Sequence, residues 1–148
     1  MPRKYAAFGS ASAGTNKTIL AVTSAATIRP ELYDILLSSS GTAGDNASIF
    51  YAARYTAAGT ATSVTPIALD PGDPAALAAA GKAHTVEPTY TANAILLEFA
   101  VNQRATFRWV AVPGGELKCP ATASNGIGVY TPSSTGTPTI EATIHWCE

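Results

Sequence analysis

"TIEATIHWC", residues 139–147, alternates without a break. As a strand it places Ile140, Ala142, Ile144 and Trp146 on one face and Glu141, Thr143, His145 and Cys147 on the other. Only a sheet buried on one side uses such a pattern, so the chain ends inside a β-sheet rather than in a tail. The same reading extends outward. "KTILAVT" (17–23), "LYDILLSSS" (32–40), "ASIFYAARYT" (47–56), "NAILLEFAV" (93–101), "RATFRWVAV" (104–112) and "GIGVYT" (126–131) are rich in β-branched and aromatic residues and are parted by Gly, Pro, Asn and Ser clusters. "KYAAFG" (4–9) and "TATSVTPIAL" (60–69) are weaker strands. The expected class is therefore all-β, a β-sandwich or jelly roll in a single domain over residues 1–148.

One segment reads differently. In "DPGDPAALAAAGKAH" Asp73 suits an N-cap, Pro74 the first helical position, Ala75–Ala80 are strong helix formers and Gly81 a stop, which predicts one short helix over about 74–81. "VPGGEL" (112–117) reads as a hairpin turn, with Gly114 and Gly115 free to take positive φ.

A chain of 148 residues is long enough to bury a real core. Charged residues make up 13% of it, against about 25% in soluble proteins at large, so its surface is built from Thr, Ser, Ala and Gly. Such a surface is cheap to desolvate and favours repeated subunit contact. A net charge of -1 with scattered Lys and Arg argues against nucleic acid, and the lack of a long apolar run argues against a membrane partner. Neither a signal-peptide pattern nor a disulfide framework is visible: Cys119 and Cys147 are two free thiols or one bridge, free thiols being expected of a product made in the cytosol.

No motif for catalysis emerges, and the chain is read as non-enzymatic, without cofactor or metal. "GSASAGTNKT" (9–18) has two residues too many for a phosphate loop, and a strand rather than a helix follows it. His84 and His145 lack an identifiable nucleophile, and Asp70 and Asp73 are explained by turn formation. The aromatic strand carries the sharpest question. Arg104 and Arg108 would share one of its faces and Trp109 the other, so Arg104, Arg108, Trp109 and Trp146 are the candidate interface residues, the arginines reaching a carboxylate on a neighbouring chain.

"AATIRPELYDI" (25–35), "RYTAAGTATSVTPIALDPGDPAAL" (54–77), "HTVEPTYT" (84–91), "NQRATFRWVAVPGGEL" (102–117), "ASNGIGVY" (123–130) and "ATIHWCE" (142–148) resemble a family of small virion structural proteins encoded by tailed phages and prophages. The resemblance implies a compact β fold located in the virion, as a capsid decoration or cement protein on the head lattice. Its partners would be the major capsid protein and copies of itself, as a homotrimer. The alternative is a carbohydrate- or receptor-binding module of a phage tail or fibre, with Tyr51, Tyr55, Tyr90, Trp109, Tyr130 and Trp146 as stacking platforms.

Overall fold

The computed structural model describes residues 2–148. Its strands are β1 (Lys4–Ser12), β2 (Lys17–Thr23), β3 (Glu31–Gly41), β4 (Ala47–Ala57), β5 (Thr60–Val64), β6 (Ile67–Ala68), β7 (Ala79–Val86), β8 (Thr89–Asn102), β9 (Phe107–Val110), β10 (Leu117–Lys118), β11 (Gly126–Thr131) and β12 (Thr139–Cys147). They form two antiparallel sheets. In the first the order is β10-β3-β12-β1-β6, with β9 also on β3; in the second it is β5-β7-β2-β11-β4-β8. Among the described residues no helix is long and apolar enough to cross a membrane.

The stretch at 139–147 sits at the centre of the first sheet. β12 pairs with β1 from Thr139↔Ser12 to Cys147↔Lys4 on one side and with β3 on the other. Backbone bonds in both directions between Arg3 and Glu148 extend the β1 ladder by another pair. The inward face of β12 is the one expected, Ile140, Ala142, Ile144 and Trp146, all buried. Trp146 lies 6.0 Å from the ring of Tyr5 on β1. Each fully buried side chain of this size contributes roughly 1.5–3 kcal/mol.

The weak reading of "KYAAFG" has a physical cause. β1 turns Tyr5, Ala7, Gly9 and Ala11 inward, and apart from Tyr5 these are small. Small residues carry little strand preference, but here they make room: a Cβ on Gly9 would lie 2.6 Å from Lys82 Cδ on β7 of the other sheet. Facing residues of the second sheet, Ile19, Val22, Phe50, Ala52, Ile127 and Val129, join the same buried cluster, so both sheets share one core.

The expected helix at about 74–81 does not form. Residues 71–78 are turn and irregular backbone, and Ala79 and Ala80 already belong to β7, opposite Thr23 and Val22. Two turns of helix are too short to persist on propensity alone, and this segment finds better partners elsewhere. The Leu77 and Ala78 amides donate to the Glu148 carboxylate at 2.7 and 3.1 Å, and the Pro74 carbonyl accepts from the Tyr5 hydroxyl at 3.0 Å.

Two further expectations are corrected at the aromatic strand. Its ordered part is β9, Phe107–Val110, while residues 103–105 form a turn. "VPGGEL" is not a hairpin, because β9 and β10 both run antiparallel to β3 along the same edge, at Leu37–Asp34 and then Leu32–Glu31. The turn expels a loop from an interrupted edge strand without reversing the chain. Its positive φ falls on Gly114, at 84°, and the Gly115 amide closes the turn on the Val112 carbonyl.

The outer face of the second sheet is covered by its own tyrosines. Tyr55 donates to the Val22 carbonyl at 3.0 Å and lies 2.6 Å from the Thr23 hydroxyl, while the Tyr90 and Thr18 hydroxyls are 2.8 Å apart. These contacts require bare backbone beneath them. A Cβ on Gly126 would meet the Val22 carbonyl at 2.2 Å and the Tyr55 hydroxyl at 2.3 Å, and one on Gly128 would meet the Tyr90 hydroxyl at 2.3 Å. β11 is consequently buried on both faces.

Deleting residues 139–148 removes the strand that joins β1 to β3, and no cooperative melt should remain; a truncated chain with a native circular-dichroism spectrum would contradict this placement. Gly126→Ala should lower stability by about 1–3 kcal/mol, read as a reduced denaturant midpoint, because the backbone carbonyl it meets cannot step aside.

Candidate functional site

The strongest polar cluster lies on the outward face of the first sheet. Asp34 interrupts the apolar run of β3, opposite His145 on β12 and diagonal to Arg108 of β9, whose direct partner on β3 is Leu36. The Arg108 guanidinium grips it as a fork, Nε donating to Oδ1 at 3.0 Å and Nη2 to Oδ2 at 2.7 Å. His145 Nδ1 lies 3.2 Å from Oδ2. The Tyr33 ring stacks on the imidazole with 6.0 Å between centroids, and Lys4 Nζ stands 5.5 Å over the Tyr33 ring.

Burial within the cluster is uneven. The Asp34 side chain is 6% exposed and that of Arg108 is 61% exposed, so the arginine lies over the carboxylate as a lid. The Arg108 hydrogen bonds hold the Asp34 carboxyl below its ordinary value; desolvation opposes this and the His145 hydrogen bond adds to it. Arg108 therefore meets a carboxylate, but one supplied by its own chain. The Asp34–His145 pair resembles half of a hydrolytic relay. Among the described residues no hydroxyl or thiol hydrogen-bonds the ring, and no group of three His, Cys, Asp or Glu side chains is disposed to hold a metal ion.

The other candidate residues are dispersed. Arg104 is exposed in the turn after β8, its amide donating to Asn102 Oδ1 at 2.9 Å and its Nε to the Ala43 carbonyl at 3.4 Å, so it does not share a strand face with Arg108. Trp109 points inward and packs half-buried on the core. Trp146 is fully buried, its Nε1 without a partner, and has no surface to offer a neighbour. Of the six expected stacking platforms, Tyr55 is also buried, and Tyr90 lies flat on Tyr130 at 4.1 Å.

Sequence reasoning missed Asp34, Tyr33 and Lys4. A lone acid inside "LYDILL" was the available signal, since a carboxylate among strand apolars needs a cationic partner. His84 is a second buried polar group, at the far end of β7, with Nδ1 unpaired and its pKa lowered by burial. Lys17 donates to its carbonyl and lies 3.0 Å from Glu87, whose other oxygen accepts the Thr18 amide at 2.9 Å. Both cysteines are free; burial pushes the Cys119 thiol up to about 11, which leaves it inert at neutral pH.

Comparison of the chain with protein-family models, with curated proteins and with solved structures gave no match.

Asp34 links stability to pH. The unfolded chain takes up this proton near the ordinary aspartate value of about 3.9 and the folded chain only at lower pH. Its contribution is thus complete above that value and lost as the pH falls through the folded one. Asp34→Asn should flatten the fall in melting temperature below about pH 4. Arg108→Ala should lower the melting temperature at pH 7, and less so at high salt, by leaving the carboxylate short of partners.

Proposed function

We propose that the protein is a virion structural subunit, a decoration protein that coats a head lattice and acts by packing its faces against neighbours. In this reading the two sheets are the layers of a β-sandwich, and their outer faces serve as contact surfaces. The partners are the major capsid protein and further copies of the chain.

The observation that carries the reading is the make-up of the first sheet's outer face. Phe8, in the middle of β1, is 59% exposed, and Ile67 on β6, paired with Ala6 on the same face, is 54% exposed. Leu36 stands beyond Thr143, so apolar side chains occupy three of the four strands from β6 to β3, with Thr143 between them. Around this band two charges are compensated within the chain, Arg108 by Asp34 and Lys118 by Glu31 at 3.0 Å, and Glu141 accepts a hydrogen bond from the Ser40 hydroxyl at 2.6 Å. A neighbour covering the band would find the Arg108–Asp34 and Lys118–Glu31 pairs already formed, which is what makes burial of a charged rim tolerable. An exposed phenylalanine in a central strand gains by burial about as much as a core residue does.

Gradient-purified particles test the proposal. The protein should sediment with them at a fixed ratio to the major capsid protein, and Phe8→Lys, with an unchanged melting temperature, should stay at the top of the gradient. Wild-type protein absent from particles but retained on immobilised glycans would contradict the proposal in favour of sugar binding.

A further inference from the structure

The four sheet edges are not equivalent. β5, β6, β9 and β10 are five, two, four and two residues long, and β9 and β10 are parted by the loop that holds Pro113 and Gly114. Short and interrupted strands are poor templates for another chain. β8 differs. It runs for 14 residues at the edge of the second sheet and, among the described residues, pairs with β4 alone. In that length it holds one charged side chain, Glu98, and no proline. In its second half Glu98 is the one device that blunts an edge; there is no proline, and the pairing with β4 is regular from Leu97 to Asn102.

The inward side of that half is unfinished. Leu97, Phe99 and Val101 pack on the core but are only partly buried, because no strand follows to cover them. Phe99 stacks on Phe107 at 3.8 Å and on Phe50 at 5.7 Å, so it stands at the border of the core. An occupant must supply an extended backbone for the free amides and carbonyls and an apolar row for these three side chains. β8 itself has both properties.

We propose that two copies of the chain join by antiparallel pairing of β8 with β8, about a two-fold axis at Phe99. Strand alternation restricts the register. Centring on Phe99 sets Phe99 against Phe99 and Leu97 against Val101 of the second copy, so the two apolar rows complete one another. On the outward face the same register sets Glu98 against Ala100 of the second copy. Centring on Glu98 would oppose two like charges and is disfavoured. The resulting dimer merges the two second sheets into one, with closed two-fold symmetry. It is a different stoichiometry from the trimer expected at the sequence level, and it stands without the virion reading, since β8 lies away from Phe8 and the face around it.

Ala100 is exposed and small, which makes it the position to test. Light scattering coupled to size exclusion should give the wild type twice the mass of one chain. Ala100→Glu places a carboxylate against Glu98 of the second copy at two symmetric points, and the mass should halve. Ala100→Lys meets the same Glu98 with the opposite sign and should remain dimeric, and the double variant Glu98→Lys, Ala100→Glu should recover the dimer. Melting temperature at a concentration where all variants are monomeric separates folding defects from loss of pairing. A wild type that is monomeric at every concentration, a trimer, or a dimer indifferent to the charge at Ala100 would each overturn the pairing. Loss of pairing in Ala100→Glu with particle association intact would leave the proposed function standing.

Discussion

The structure depends on the pairing of the two chain ends. β1 and β12 meet along their whole length at the centre of the first sheet, and every other strand of that sheet is attached to one or the other or to β3 beside them. The pairing joins residues that are among the most distant in the sequence. Its closure is entropically expensive and is offset by what it buries: Trp146 against Tyr5, and the rows of isoleucine and alanine between the sheets. A fold assembled this way is rich in non-local contacts and should form slowly compared with a helical protein of equal size.

Much of the architecture was legible locally. Alternation at 139–147 identified both the strand and its inward face, because a period of two is enforced when one side of a sheet is buried. The misread helix shows where local reasoning stops. Alanine favours helix in isolation, but the backbone groups of Leu77 and Ala78 are claimed by Glu148, about seventy residues away. The truncated strand at 104–106 has a similar origin: Gln103 beside it is buried, its side chain accepting from the Gly44 amide at 2.9 Å and donating to Ser48 and the Thr135 carbonyl, so the chain turns there despite its composition.

The polar cluster was half legible. Arg108 stood out as a cation on a strand with an outward side, yet its partner is 74 positions away and became visible only with the register of β3 against β9. Trp146 was misleading for the opposite reason. Tryptophan is common in interfaces and in cores, and only its place on the inward row decides between them. Edge status is a property of strand order, so nothing in "NAILLEFAV" marks it as the last strand of a sheet.

Native-state hydrogen exchange tests the dependence on the paired ends most directly. Amides of β1 and β12 should exchange last, only through global unfolding, and should share one opening free energy across both strands. If the β1 amides open well before those of β4 and β11, the first sheet is not held by its ends and the account is wrong.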